Sequence, residues 1–312
     1  MHTEKNRSFL EPKVLARLER LPVCARTLVE GTYTGRHKSP HRGASVEFAQ
    51  YRKYAPGDDV KSVDWRVYGR TDRFYVKEFE ADTNLRCHLV LDCSGSMGFA
   101  GREGGITKFD YARRLAATLA HLLSQQGDAV GLHAFNHGVV HDIPPRTNPR
   151  HLGAIYDTLE TATPAGETAV VKILHDLAES IRRRAMVVVF SDLFTEPRPL
   201  LDCFEHLVFR KHDLAVFHVL DPQELTFDLA RPSRLVCMES RQSLFTDPAA
   251  MRDRYLACLH AYLAELRRGC LEFNVDYRLA DTAKPYEELL AAFLLARQRH
   301  SPGRRVPPSG PD

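Results

Sequence analysis

The clearest rhythm in this chain is an alternation of short apolar runs with longer stretches of helical period. Cys87 to Leu91 form an apolar run ending at Asp92, and Ser94, Gly95, Ser96 and Gly98 make a loop after it. Phe109, Ala112, Ala116, Leu119 and Leu123 then recur at the spacing of one helix face, and Gly127 suits the C-terminal cap. A strand through Val130, Leu132 and Ala134 leads to a turn at Asn136 to Gly138 and a second short strand toward Asp142. Pro149 opens a helix carrying Leu152, Ile155, Tyr156 and Leu159. The pattern repeats with a helical stripe at Val170, Ile173, Leu174, Leu177 and Ile181, then an uninterrupted apolar strand from Met186 to Phe190 ending at Ser191 and Asp192. Pro199 to Lys211 reads as helix, and Leu214 to Leu220 as a strand ending at Asp221. After an irregular stretch, Ala250 to Arg268 predicts a long helix with Met251, Tyr255, Leu259, Tyr262 and Leu266 inward. Val275 to Leu279 gives the last strand and Tyr286 to Arg299 the last helix.

Strands that are apolar throughout and alternate with helices imply an α/β fold: a doubly wound, mainly parallel sheet covered on both faces. Such sheets bind ligands outside the carboxyl ends of their strands, where the strand order reverses. Three strands here end in aspartate, at Asp92, Asp192 and Asp221, so acid stands where the fold puts its site. The N-terminal segment reads differently. Pro12 to Glu30 predicts a helix, and Val46 to Phe79 has the short alternating runs and turn residues of a small β-rich unit. The expected division is residues 1–84 as this segment, 85–299 as the α/β domain and 300–312 as a disordered tail rich in proline, glycine and arginine.

Composition narrows the function classes. A net charge of +3 on 312 residues is too small to argue for nucleic acid or a membrane surface. No apolar run approaches the roughly 20 residues that cross a bilayer, and no secretory leader is evident, so a cytoplasmic protein without membrane insertion is expected. The seven cysteines are scattered, with no C-x-x-C pair, and carry neither a disulfide nor a zinc assignment.

The chemistry concentrates after the first buried strand. Asp92-Cys93-Ser94-Gly95-Ser96 is a D-x-S-x-S sequence, which places a carboxylate and two hydroxyls on one turn. Hard cations such as Mg²⁺ take about six oxygen ligands and keep several waters, whereas zinc and copper favour imidazole or thiolate. Thr168, just before a helix, offers a third hydroxyl, and Asp192 a second carboxylate. In this order the five residues resemble the metal-ion-dependent adhesion site of von Willebrand factor A domains. That resemblance implies Mg²⁺ (or Mn²⁺) at Asp92, Ser94, Ser96, Thr168 and Asp192. It implies that the hydroxyls touch the metal, that the aspartates act largely through water, and that an acidic side chain of a partner protein completes the octahedron. Glu167 stands where many such sites carry glycine. Asp92 is expected at a loop rim, so that alanine there would abolish partner capture and spare the fold.

The resemblance extends along the chain. Ser45-Val46-Glu47-Phe48, Pro56-Gly57-Asp58-Asp59, Asp64-Trp65-Arg66, Thr71-Asp72-Arg73, Val76-Lys77, His218-Val219-Leu220-Asp221-Pro222 and Leu263-Ala264-Glu265-Leu266-Arg267-Arg268 are similar to the bacterial proteins grouped as domain of unknown function 58. Those proteins pair such an N-terminal segment with a von Willebrand A-like domain and are commonly associated with MoxR-type AAA+ ATPases. This implies an adaptor or co-chaperone role for nearly all of residues 9–299.

Other signals are weaker. A metal-dependent phosphohydrolase in the same cleft is the competing enzyme reading, but Ser94 stands where a D-x-D phosphatase needs its second aspartate, and neither G-x-S-x-G nor a Walker A loop occurs. A structural scaffold that binds no ion is the third reading. His133, His137 and His141 recur every four residues, yet they fall on strand–turn–strand and read as surface and sheet-face histidines. Arg36, Lys38, Arg52, Lys53, Arg66 and Arg70 interleave with Tyr51, Tyr54, Trp65 and Tyr68, a pattern that binds single-stranded nucleic acid elsewhere. Asp58, Asp59, Asp64 and Asp72 cancel much of that charge, so an ion-paired packing surface is expected instead.

Overall fold

A computed structural model describes residues 7–26, 46–53, 67, 69–70, 75–81, 85–229 and 231–300. Its centre is a six-stranded sheet of β3 (Arg86–Asp92), β4 (Ala129–Phe135), β5 (Val139–Arg146), β6 (Met186–Ser191), β7 (Asp213–Leu220) and β10 (Asp276–Asp281), in the order β10-β7-β6-β3-β4-β5. All neighbours are parallel except β5, which runs antiparallel to β4 through the turn at Asn136 to Gly138. The expected mainly parallel, doubly wound α/β fold is present.

Strand alternation divides the core in two. Leu89 and Leu91 on β3, Val188 and Phe190 on β6, and Phe217 and Val219 on β7 face one layer. That layer holds α1 (Pro12–Leu18), α2 (Lys108–Gln125), α3 (Pro149–Thr161) and α8 (Tyr286–His300). Val90, Val187, Val189 and Val216 face the other, under α4 (Val170–Ser180), α5 (Pro197–Phe209) and the C-terminal half of α7 (Pro248–Glu272). Both sheet faces being dry is why β6 and β7 are apolar at nearly every position. Because β3 continues to β4 on one side and is flanked by β6 on the other, the order reverses between β3 and β6, and a crevice opens at their carboxyl ends.

Several boundaries differ from the sequence expectation. The first helix ends at Leu18 rather than running to Glu30: Pro22 lacks an N–H and restricts Leu21, so the chain turns there, with the Leu21 N–H on the Leu18 carbonyl. The helix expected from Pro199 begins at Pro197. Met251 is exposed, because the first turns of α7 run past the sheet and rest on the short helix α6 (Pro222–Thr226), where Tyr255 hydrogen-bonds the Glu224 carbonyl and stacks on Phe227. The stretch read as irregular holds α6 and a hairpin of β8 (Ser233–Val236) and β9 (Ser243–Thr246). In the N-terminal segment β1 (Val46–Lys53) and β2 (Tyr75–Ala81) form an antiparallel pair. The basic and aromatic cluster at Arg36, Lys38, Tyr54, Trp65 and Arg66, and the tail 301–312, lie outside the described residues.

Residues 7–26 pack into the same core as the sheet through Phe9, Val14, Leu18 and Val23. Arg297 of α8 secures this junction. Its buried guanidinium donates to Asp213 on β7 at 2.7 and 3.2 Å, to Asp276 on β10 at 3.2 Å and to the Cys24 carbonyl at 3.1 Å. The Arg26 N–H donates to Asp213 at 2.7 Å and Arg278 to Asp276 at 2.8 Å, which completes the cluster. Removing one partner of a buried ion pair leaves the others uncompensated. Arg297→Ala is therefore expected to lower the unfolding free energy by about 3–5 kcal/mol, read from urea denaturation. An unchanged midpoint would show that the cluster contributes nothing.

Candidate metal centre

The crevice between β3 and β6 is built mostly by backbone. Asp92, at the end of β3, is fully buried, and its Oδ1 accepts the Ser94 N–H at 2.8 Å, which turns the chain at once into a single 3₁₀ turn, Gly95–Gly98. The helix that carries the stripe from Phe109 begins at Lys108, after a loop. The second loop, around Pro164 to Thr168, is zipped to the first: the Ala165 N–H donates to the Cys93 carbonyl and the Gly95 N–H to the Gly166 carbonyl, both at 2.8 Å. Gly166 has φ +79°, a conformation that side chains resist. Gly95 is needed for a different reason, since a Cβ there would lie 2.6 Å from the Met238 carbonyl oxygen.

This framework gathers the side chains. Oδ2 of Asp92 accepts the Ser191 hydroxyl at 2.6 Å and the Thr168 hydroxyl at 3.3 Å. The Ser94 and Ser96 hydroxyls lie 3.1 Å apart. Asp192, also fully buried, is close enough for its charge to act on Asp92. Burial, and after it the negative charge of Asp192, push the Asp92 carboxyl up to about 7 against the opposing hydrogen bonds from Ser191 and Ser94. Glu167 is exposed. Asp92 is thus not at a loop rim: it is enclosed and accepts three hydrogen bonds, so alanine there would remove a structural acceptor as well as a charge.

The structure also places groups that sequence reasoning missed. Lys108, the first residue of α2, is buried and donates to Asp192 Oδ2 and Glu224 Oε1, each at 2.7 Å, beneath the rings of Phe99 and Phe194. Burial disfavours its charged form, but the two carboxylates outweigh that and raise its pKa. A lysine in the first turn of a helix opposes the helix dipole, and that misfit was the available signal. Ser191 bridges Asp92 and the Leu193 N–H, the latter at 2.9 Å. His218, held neutral by burial with its pKa lowered to about 4, sits with Nε2 2.8 Å from the Asp192 carbonyl and Nδ1 2.7 Å from the Tyr277 hydroxyl. A neutral ring has one N–H, so Nε2 donates to the carbonyl and Nδ1 accepts from the tyrosine. Of the spaced histidines, His133 is the sheet-face one: it is buried on β4, 2.8 Å from His88 and 2.9 Å from Asp142.

Among the described residues no group of three or more His, Cys, Asp or Glu is arranged to hold a metal ion. A cation in this crevice would need the hydroxyls beside its two carboxylates. The donors fit a hard ion: all are oxygens, and Asp192 Oδ1 is buried without a hydrogen-bond partner among the described residues. A buried acceptor of that kind is costly unless a donor or positive charge answers it.

The family described as protein of unknown function DUF58 matches residues 50–261 of this chain. The chain belongs to the DUF58 family. A DUF58 relative, the uncharacterized protein Rv1480 of Mycobacterium tuberculosis, is 30% identical over 273 residues, covering 83% of each chain, and an uncharacterized protein of Mycobacterium bovis matches equally. Among solved structures, the conserved hypothetical protein BatB of Bacteroides thetaiotaomicron is similar at TM-score 0.48 and 13% identity, covering 70% of this DUF58 chain and 98% of its own. The vWF domain of the type V pili tip protein Mfa5 of Porphyromonas gingivalis follows at TM-score 0.38 and 11% identity, covering 72% and 98%. No helix among the described residues of this DUF58 chain is long and apolar enough to cross a membrane.

Among the described residues Lys108 is the fixed cation on Asp192, so its loss should be felt through that carboxylate. Lys108→Met is expected to lower the unfolding free energy by about 3–5 kcal/mol. Adding Asp192→Asn should recover part of the loss, a non-additivity that marks direct coupling. Urea denaturation of the two singles and the double checks this, and strictly additive losses would refute the coupling.

Proposed function

We propose that this DUF58 chain is a divalent-cation-dependent protein-binding module. In this reading Asp92, Ser94, Ser96, Thr168 and Asp192 hold Mg²⁺ or Mn²⁺, and an acidic side chain of a partner protein completes the coordination. The observation that carries the reading is the buried Oδ1 of Asp192, without a partner among the described residues, beside Asp92, whose carboxyl is pushed up to about 7: two carboxylates in one dry crevice. The Thr168 hydroxyl on Asp92, with the paired Ser94 and Ser96 hydroxyls on the turn that follows, offers the neutral oxygens that a hard ion takes. The bound ion would provide a positive charge that attracts a carboxylate, and the chain's own residues would orient it. The resemblance to domain of unknown function 58 proteins makes a MoxR-type AAA+ ATPase, or a protein such an ATPase acts on, the expected partner.

Because Asp92 is enclosed, Asp92→Asn is the informative variant: it keeps an oxygen for the Ser94 N–H and removes the charge. The wild-type chain is expected to bind Mn²⁺ in calorimetry and to capture an AAA+ ATPase from lysate in Mg²⁺ but not in excess chelator. Asp92→Asn should lose both properties with its urea midpoint retained. Capture that persists in chelator, or in Asp92→Asn, would refute the cation mechanism. Turnover of phosphate esters by the wild-type protein with Mg²⁺ or Mn²⁺, lost in Asp192→Asn, would establish the phosphohydrolase reading instead.

A further inference from the structure

At the end of the sheet opposite the metal crevice, a cavity of about 380 Å³ is lined by Ile181, Arg182, Arg183, Arg184, Arg210 and His212. Two helix endings build it, just before the amino-terminal ends of β6 and β7. α4 stops at Ser180, and Ile181 to Ala185, with three consecutive arginines, lead into β6. α5 stops at Phe209 and its end folds back: the Lys211 N–H donates to the Val208 carbonyl at 2.8 Å and the His212 N–H to the Leu207 carbonyl at 3.1 Å. Lys211 takes a left-handed φ of +67° to allow this. The closure fixes the His212 ring, which is 4% exposed. The Ala185 N–H approaches His212 Nδ1 at 3.3 Å. A backbone N–H can only donate, so Nδ1 accepts and a neutral ring carries its proton on Nε2. Burial, and after it Arg210 and His206, lower the His212 pKa to about 4, so the ring is neutral. Nε2 is buried with no hydrogen-bond partner among the described residues.

Basic residues just past a helix C-terminus ordinarily answer the helix dipole. Arg210 also has Glu179 at 3.4 Å, a carboxylate it shares with His206 at 3.1 Å. Neither fact accounts for four arginines on one cavity, where like charges repel, nor for a buried N–H donor left unanswered. An anion rich in oxygen answers both. A carboxylate offers two oxygens, which one guanidinium satisfies bidentately. A phosphate group carries nearly two charges and at least three acceptor oxygens, and so takes several arginines at once. We infer that this cavity binds a phosphate group, carried by inorganic phosphate or by a small phosphomonoester, on Arg182, Arg183, Arg184 and Arg210 with the His212 Nε2–H as a neutral donor. Small-molecule clefts run to roughly 300–1,000 Å³, so the cavity has room for the organic part of a monoester. The site is separate from the candidate metal centre, because β6, from Met186 to Ser191 at about 3.3 Å per residue, puts Asp192 about 20 Å away.

The test is calorimetry on the full chain at fixed ionic strength, with inorganic phosphate and glycerol 3-phosphate as probes. Metal-free buffer keeps any ion in the crevice from capturing them. Wild type is expected to bind one equivalent, and the His212 Nε2 resonance in nitrogen-15 NMR should move as the probe is added. Arg182 and Arg183 are exposed, so Arg182→Gln/Arg183→Gln should keep the wild-type urea midpoint. It should bind at least about tenfold more weakly, the lower end for losing one charge-assisted hydrogen bond. His212→Asn keeps an acceptor for the Ala185 N–H, lacks the Nε2–H, and should weaken binding by a similar factor. Tighter binding of glycerol 3-phosphate than of phosphate would assign the site to a monoester, and the reverse order to the free ion. No binding of either probe at millimolar concentration would overturn the inference. Affinity unchanged in the arginine double variant, or a His212 resonance that stays still in a wild type that binds, would overturn it equally.

Discussion

Asp92 and Asp192 are carried to adjoining strand ends in a place that water does not reach, and much of the surrounding structure answers their charge. Two carboxylates that close in a poorly screened interior repel each other and resist ionisation together. Each neighbour supplies a donor or a positive charge: Ser191, Thr168 and the Ser94 N–H on Asp92, and Lys108 on Asp192. His218 steadies the Asp192 carbonyl while its own ring stays neutral. The two aspartates meet because β3 and β6 are neighbours on either side of the strand-order reversal, so the crevice is a product of topology before it is one of chemistry.

Much of the architecture was readable in the sequence for a simple reason. Strands covered on both faces are apolar at consecutive positions, as Met186 to Phe190 are, and the helices between them show their stripes plainly. The near half of the site was readable too, since Asp92, Ser94 and Ser96 lie on one turn. Thr168 and Asp192 could be found because each stands where an element begins or ends. Helical period alone misled at Met251, where the pattern continues past the body that the helix packs on.

The remainder was hidden by distance along the chain or by absence of pattern. Lys108 meets its acids across 84 and 116 residues, and no local spacing announces that meeting. Met238, whose carbonyl lies against Gly95, sits in a hairpin whose second strand buries only its last residue, Thr246, so no alternation marks the strands. On the proposed reading, Lys108 sets the strength of the site. Lys108 withdraws one oxygen of Asp192 from any incoming ion, leaving a centre that holds a cation less firmly than two free carboxylates would.

Arg297 bears on how the protein comes into being. Asp213 and Asp276 are buried on adjacent parallel strands; Asp276 has Arg278 of its own strand at 2.8 Å, but the counter-charge for Asp213 arrives from α8, late in the chain. The Cys24 carbonyl and Arg26 N–H, near its start, join the same cluster. During synthesis, then, Asp213 waits without its side-chain cation until the ribosome has released Arg297. Arg297 is in this sense a latch between an early segment of the chain and its last described helix.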